Sequence, residues 1–531
     1  MANRSKTFLR LSAALPVAGA LALGPSQADA QQKVLRVVPQ ADVKVLDTHV
    51  VSVQITKMHA LLIYDTLFSW DFKLAAKPQM VSDYTVSPDK LKYTLTLRPG
   101  QKWHDGQPVT TKDAIASLTR WMKRDVMGAS LGKSIASMEA VDDKTFTITM
   151  KQPYGFVEFT LGSGGGQMPA IYPERVAMTD PFQPITEAIG SGPFKFNRAE
   201  WRPGDKVIYD KNTDYVPRSE PPDGLAGGKV AKVDRVEFNV IPDAGTVAAA
   251  LAKGEVDLWD SPSNDMLGTL EKNPDIVVKT LPPFGNFGFL RVNSLYPPFN
   301  NVKARQALAV AFDQRDFMRT AYGDQKWWKV CYAYFVCDAP WATEVGSEPY
   351  RHADLAKAKQ LMAEAGYKGE KLLLITTNEI PQIGQMALVA AGRLKEMGVD
   401  VDMQVNDWGS VVTRMTKKDP PAQGGWNMFT SWGTGTTFHH PLTNIGSNMS
   451  CDQSNWVGWP CDEETEKLRA AFVAASDDAG RKAAMEVLHK RLMEMQPYTL
   501  LGQFEPPFAW RKNVEGVLRG AVLVFWNISK S

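Results

Sequence analysis

The sequence lacks a charge excess of either sign. Its 60 Lys+Arg meet 58 Asp+Glu, and with residues 1–30 set aside the balance is 57 of each. Binding to nucleic-acid phosphates needs a basic surplus, so that class of partner is excluded. Long apolar runs are scarce as well. Leu11 to Gly24 is the one extended Ala/Leu-rich stretch. It is shorter than the about 20 residues of a membrane helix, and it contains Pro16. Histidine is limited to seven residues, and no H-E-x-x-H occurs. His439-His440 is the one paired feature, and neighbours on a strand would point to opposite faces rather than share a metal. No metal or cofactor is therefore expected. No internal repeat or low-complexity segment is evident.

Cysteine is absent before residue 331; the four present are Cys331, Cys337, Cys451 and Cys461. They lack the two-residue spacing and interleaved histidines of a zinc site. An even count suits two disulfides in an oxidising compartment, and four cysteines allow three pairings. The local pairs Cys331–Cys337 and Cys451–Cys461 are favoured because short loops cost least to close.

What is present begins with an export signal. Arg4, Lys6 and Arg10 precede the apolar stretch, and Ala28-Asp29-Ala30 places small residues where a signal peptidase reads. Cleavage is expected before Gln31, leaving a protein free in the periplasm. No cysteine at that point suggests a lipid anchor, and no Arg-Arg pair suggests the twin-arginine route. The remaining chain, within a sequence that is 44% hydrophobic, is long enough for several domains.

Helical and strand periodicities alternate along it. Strands are expected at Lys33 to Val38, Lys92 to Leu97, Thr145 to Met150, Arg235 to Ile241, Lys371 to Thr376 and Asp400 to Val405. Helices are expected at Gln54 to Leu67, from Thr111 with Thr110 or Thr111 as cap, and at Thr246 to Lys253, Val302 to Ala311, Leu355 to Ala365 and Gln385 to Met397. This alternation predicts an α/β fold with mixed sheets.

Catalytic patterns do not assemble. Ser87 to Lys90 and Ser130 to Lys133 match S-x-x-K, but no K-T-G or S-D-N accompanies them. The loop Gly162 to Gly166 lacks both the glycine of a nucleophile elbow, Leu161 standing there, and the Lys-Ser/Thr of a phosphate cradle. A secreted serine hydrolase is the enzyme alternative, and these gaps speak against it.

One stretch is more specific. Leu97-Arg98-Pro99-Gly100, Trp103, His104-Asp105-Gly106 and Thr110 to Asp113 resemble the L-R-x-G, aromatic, D-G and T/S-x-x-D pattern of family 5 extracellular solute-binding proteins. These are the oligopeptide-, dipeptide- and nickel-binding proteins of ABC importers. Ile63 to Phe68, Ile189 to Phe194, Gly254 to Asp257, and Asn293 with Pro298 to Ala307 follow the family's further motifs in order. The resemblance implies a large two-lobed, type II-like binding protein with an inserted domain, a hinged cleft and no covalent chemistry. It divides the chain into a signal peptide (1–30), lobe 1 (31–75, 190–287 and 500–531), an inserted domain (76–189) and lobe 2 (288–499). It also implies a monomer that passes a peptide or similarly sized solute to ABC permease subunits.

In peptide-binding relatives an aspartate of a W-x-x-D-like segment holds the ligand's α-amino group. The matching segment is Trp432-Gly433-Thr434-Gly435, so Gly435 stands in that place. No arginine lies between Lys371 and Gly392 to hold a carboxylate. A non-peptide ligand (an oligosaccharide, an opine-like compound or a chelated metal) is the alternative. The expected cleft residues are Asp407, Trp408, Trp432, Thr434, Gly435, Thr436, Phe438 and His439 from the second lobe, Trp103 from the insert, and Asp42; Asp47 could also hold an amine. The Gly424 to Pro441 stretch is read as a cleft-lining loop.

Overall fold

A computed structural model describes residues 32–531 other than 282, 283, 454, 476 and 521. The expected export signal lies outside the described residues. Lys33–Ser531 is one unit, built on three main sheets.

The first sheet has seven strands, in the order Ile276–Thr280, Pro507–Arg511, Leu258–Trp259, Val34–Val38, Arg235–Asn239, Lys206–Lys211 and Phe194–Phe196. Its middle strand runs parallel to both neighbours, with Val34 opposite Arg235 and Val37 opposite Leu258, while the outer pairings are antiparallel. Leu35, Val37, Val236, Phe238 and Leu258 are all fully buried. Period-two alternation around these residues is what makes each segment a strand with one core face.

The second sheet has six, in the order Trp328–Lys329, Thr499–Phe504, Asn286–Val292, Met428–Thr434, Leu372–Thr376 and Val401–Val405. Asn286–Val292 is antiparallel to Met428–Thr434, from Asn286 opposite Thr434 to Val292 opposite Met428. All seven residues of Asn286–Val292 are buried, because both faces of the strand are covered. Helices Val302–Ala311, Gln314–Tyr322 and Pro381–Glu396 supply Leu308, Phe317, Met318, Met386 and Ala390 to its core.

The chain passes between these sheets twice, once between strands Ile276–Thr280 and Asn286–Val292 and once between Thr499–Phe504 and Pro507–Arg511. The expected limits of the second lobe, 288 and 499, fall within strands. Asn286 and Phe287 pair with Thr434 and Gly433, and Leu500 pairs with Phe289, so the second sheet runs from Asn286 to Phe504.

The third sheet is antiparallel, in the order Val81–Val86, Lys92–Leu97, Thr145–Met150 and Ile135–Ala140, all within 76–189. Helix Thr111–Trp121 packs on it, its start held by Asp113, which accepts from Thr110 N at 2.7 Å and Thr110 Oγ1 at 2.9 Å. One apolar cluster runs from this domain (Leu95, Trp121, Phe146) into the second lobe (Phe287, Phe438, Tyr498), while the first sheet keeps a separate core.

Most expected elements form, with ends shifted by a few residues. The first helix stops at Ile63, short of Leu67, and the long helix of the second lobe starts at Pro381 rather than Gln385. Pro381 suits a helix start because its missing N–H and fixed φ cost nothing there. Both local disulfides form, Cys331–Cys337 and Cys451–Cys461.

Candidate functional site

The inserted domain and the residues just before it meet the second lobe along an aromatic seam. One side carries Trp70, Phe156, Phe159 and the loop Gly162 to Gly166. The other carries the short helix Gly435–Phe438, His439, His440 and Phe472. Trp70 meets His439 edge-on at 5.4 Å, and Phe159 lies 4.8 Å from His440. Phe156 stacks on Phe472 at 5.8 Å with 7° between the planes, and Arg481 lies 4.8 Å above the Phe156 ring. Trp70 is fixed by donating its indole N–H to Phe159 O at 2.9 Å.

Glycines allow the backbones to close. A Cβ on Gly165 would lie 3.1 Å from Thr436 O and 3.5 Å from Thr443 Cγ2. Gly435 N donates to Gly285 O at 2.8 Å, and a Cβ there would meet Phe284 O at 2.6 Å and Gly285 O at 2.7 Å. Gly435 therefore packs on one of the two passages between lobes, with no room for an acidic side chain.

The two histidines hold opposite tautomers. His439 Nδ1 lies 2.8 Å from Thr436 O, which can only accept, so Nδ1 carries the proton and Nε2 is a bare acceptor. His440 Nδ1 accepts from Leu442 N at 3.1 Å, so its Nε2–H is a donor. Both Nε2 atoms are buried with no partner among the described residues. Burial pushes His439 down to about 4; burial, His439, Arg481 and Arg469 hold His440 well below the ordinary value. Both rings are neutral at pH 7.

Lys57, on helix Gln54–Ile63, reaches the same loop from behind and donates to Gly165 O. Burial pushes its ammonium down to about 8, while Asp125 opposes that shift. Asp125 is itself raised to about 6 by burial, and it accepts from Gly128 N at 2.9 Å and Gln167 N at 3.1 Å.

The expected site residues divide. Thr434, Gly435, Thr436 and His439 come together at the seam, with Thr434 Oγ1 accepting from Thr436 Oγ1 at 3.0 Å. Trp432 lies on the preceding strand, edge-on to Phe504 at 6.1 Å. The rest have partners within the fold. Met428–Thr434 is a sheet strand rather than a cleft-lining loop, because its whole length pairs with Asn286–Val292. Phe438 is 2% exposed among Phe287, Phe289 and Tyr498. Trp103 is core of the inserted domain, 4% exposed. Asp407 caps helix Trp408–Met415 by accepting from Ser410 N at 2.9 Å, and Trp408 N donates to Glu379 at 2.9 Å. Asp42 accepts from Gly204 N at 2.9 Å. Asp47 is fully buried and accepts from Arg120, Tyr172 and two backbone amides. The paired histidines follow a short helix, not a strand, so the face argument does not apply to them.

Lys57, Trp70, Phe159, His440 and Phe472 lie at or behind the seam and carry no motif of their own in the sequence. The Gly162 to Gly166 loop was the available signal, since its glycines make the close approach.

The sequence profile of the bacterial extracellular solute-binding proteins, family 5 (middle part) matches residues 75–456. A "probable peptide ABC transporter periplasmic-binding protein", y4tO of Sinorhizobium fredii, is 38% identical over 92% of this chain and 92% of its own. The oligopeptide-binding protein AppA of Bacillus subtilis is 27% identical over 88% and 86%. Among solved structures, a dipeptide-binding protein of a Pseudoalteromonas species in complex with Met-Leu superposes with TM-score 0.80. It shares 19% identity over 94% of this chain and 100% of that one. AgaA of A. tumefaciens R10 in complex with agropinic acid gives 0.79, with 22% identity over 94% and 99%.

Proposed function

The chain belongs to the bacterial extracellular solute-binding proteins, family 5, and on that footing we propose that it captures short peptides in the periplasm. It closes two lobes over the peptide, acts as a monomer without a cofactor, and hands its cargo to ABC permease subunits. The division of labour is lobe 1, the inserted domain and lobe 2, with 286 and 504 as the limits of the last.

The observation that carries this is that the chain links the first and second sheets twice, between strands Ile276–Thr280 and Asn286–Val292 and between strands Thr499–Phe504 and Pro507–Arg511. Two short links between two separately cored sheets are the build of a hinge, in which a few residues absorb the closure of lobes around a ligand. The seam of Trp70, Phe159, Thr436 and His439 is where the inserted domain and second lobe meet when closed. Binding energy favours that closed state, and a permease can read it. The names borne by y4tO and AppA favour peptide as the cargo class. Catalysis has no part in this reading: Ser87 Oγ donates to Asp89 at 2.5 Å in a surface turn.

Calorimetric titration with a pool of tri- to pentapeptides tests it. Saturable binding is expected. No heat from the pool, with a single non-peptide compound binding instead, would overturn the peptide assignment.

A further inference from the structure

The aromatic seam joins the inserted domain to the second lobe, and a second junction lies beside the two links between the sheets. Those links run side by side, since a Cβ on Gly285 would collide with Phe504 O. Glu505 N, next to Phe504, donates to Trp327 O at 2.7 Å. Trp327 ends the turn Gln325–Trp327 that follows helix Gln314–Tyr322, so this corner of the second lobe is tied to the second link. Helix Asn264–Lys272 of lobe 1 reaches the same corner. Asn264 Nδ2 donates to Ala321 O, and Lys326 Nζ donates to both carboxylate oxygens of Glu271, at 2.7 and 2.8 Å.

The make-up of this junction is that of a contact which breaks and reforms. Asn264 and Glu271 stand two helical turns apart and so share one face. Between them Gly268 is open, and a Cβ there would meet nothing within 4 Å. Two polar contacts with space between them bury little apolar area, and apolar burial is what would make the contact permanent. The ion pair is half-exposed, with 45% of Lys326 and 35% of Glu271 open to solvent. Water therefore takes over both groups at small cost when the pair parts. Arg120 and Asp47 are the opposite case, sealed at 1% and 0% exposure, where parting would strand a buried charge. Lys326 has Asp324 of its own lobe at 3.7 Å, whereas Glu271 has no second cation among the described residues. The lobe 1 side is the one that loses its partner on opening.

We propose that helix Asn264–Lys272 and the corner 321–326 form a polar latch that is made as the lobes close and released as they open. This rests on the closure reading above and adds what biases it. The links let the lobes turn, and a contact made only in the closed state raises the population of that state before any cargo arrives. Apparent affinity scales with that population. Glu271 and Lys326 thus tune capture without touching the cargo.

The test compares the wild type, Lys326→Glu and the charge swap Glu271→Lys/Lys326→Glu, each as the whole protein. Two readouts are taken: ligand-free hydrogen exchange in the seam segments 156–166 and 435–443, and calorimetric affinity for the pool of tri- to pentapeptides. The seam lies outside the latch, so its exchange reports closure rather than local damage. Lys326→Glu sets an acid against Glu271. It is expected to speed seam exchange and to weaken pool binding, each by about fivefold, the upper end for one exposed pair. The swap is expected to bring both back to within about twofold of the wild type. Unchanged exchange and affinity in Lys326→Glu overturn the latch. Tighter binding overturns it as well, because the contact would then belong to the open state. A swap that restores neither readout also overturns it, by tracing the effect to Lys326 on its Trp327 ring rather than to the pair. A wild type that takes up no peptide overturns the peptide reading alone; the seam exchange of the three proteins then decides the latch by the same pattern.

Discussion

Asp47 and Lys57 stand close in sequence, both sealed from solvent, yet their surroundings are opposite. Asp47 accepts from Arg120 at 2.8 Å, Ile185 N at 3.0 Å, His49 N at 2.9 Å and the Tyr172 hydroxyl at 3.0 Å. Every lone-pair direction of that carboxylate is used by the protein. Around the Gly162 to Gly166 loop, Lys57 has one acceptor, and the Nε2 atoms of His439 and His440 have no partner among the described residues. Buried polar groups are ordinarily matched. The fully used carboxylate ties the first lobe to the inserted domain, while beside the lobe seam Lys57 and the two histidines leave hydrogen-bonding capacity unused. Exposure alone would not separate the two.

The contrast breaks hardest at the saturated centre. Arg120→Met strands the Asp47 carboxylate, and removal of one partner of a buried ion pair costs about 3–5 kcal/mol. Denaturant unfolding should show that loss. A change under about 1 kcal/mol would mean that the centre is not structural.

Gly435→Ala comes next. Its Cβ would press on two backbone oxygens, Phe284 O and Gly285 O, which cannot swing aside as a side chain could. Overpacking of this kind costs about 1–3 kcal/mol. Both the unfolding temperature and peptide affinity should fall, because the strained segment is a passage between lobes. Unchanged affinity would remove that passage from the closing motion.

The seam histidines give a pH dependence with a definite sign. Closed, His439 is held down to about 4 by burial; exposed by opening, it returns to about 6.5. The closed state is favoured in full above about pH 6.5, and the advantage is lost as pH falls toward 4. Peptide affinity should drop by about tenfold between pH 7 and pH 5. The His439→Gln/His440→Gln double variant, which cannot take up these protons, should show a flatter profile. An equally steep profile would place the titrating groups elsewhere.

The smallest effect belongs to Asp407→Ala. Loss of a helix cap costs about 1 kcal/mol, and affinity should not change, since the carboxylate is used by Ser410 N. A selective loss of affinity would return Asp407 to the ligand.

The same contrast explains what could be read from the sequence. Val302–Ala311 is legible to the residue because it follows the Pro297 to Asn301 stretch, and in the structure Asn301 caps it, accepting from Lys303 N at 3.0 Å. The local disulfides were legible from spacing. Thr434 falls in the segment that resembles a family motif, while Thr436 and His439 stand out only as small-polar and aromatic residues beside it. Asp407, Phe438 and Trp103 were chosen by residue type, and type does not tell a cap or core ring from a ligand contact. Lys57 carried no local signal, since its meaning lies in acceptors that are missing from a distant loop. The expected lobe limits of 288 and 499 fall in strands Asn286–Val292 and Thr499–Phe504, because pairing across a sheet is not written in local sequence.

Native mass spectrometry of the protein purified from periplasm without refolding tests the central claim most directly. A series of bound masses resolving into short peptides is expected. A single bound non-peptide mass would contradict it.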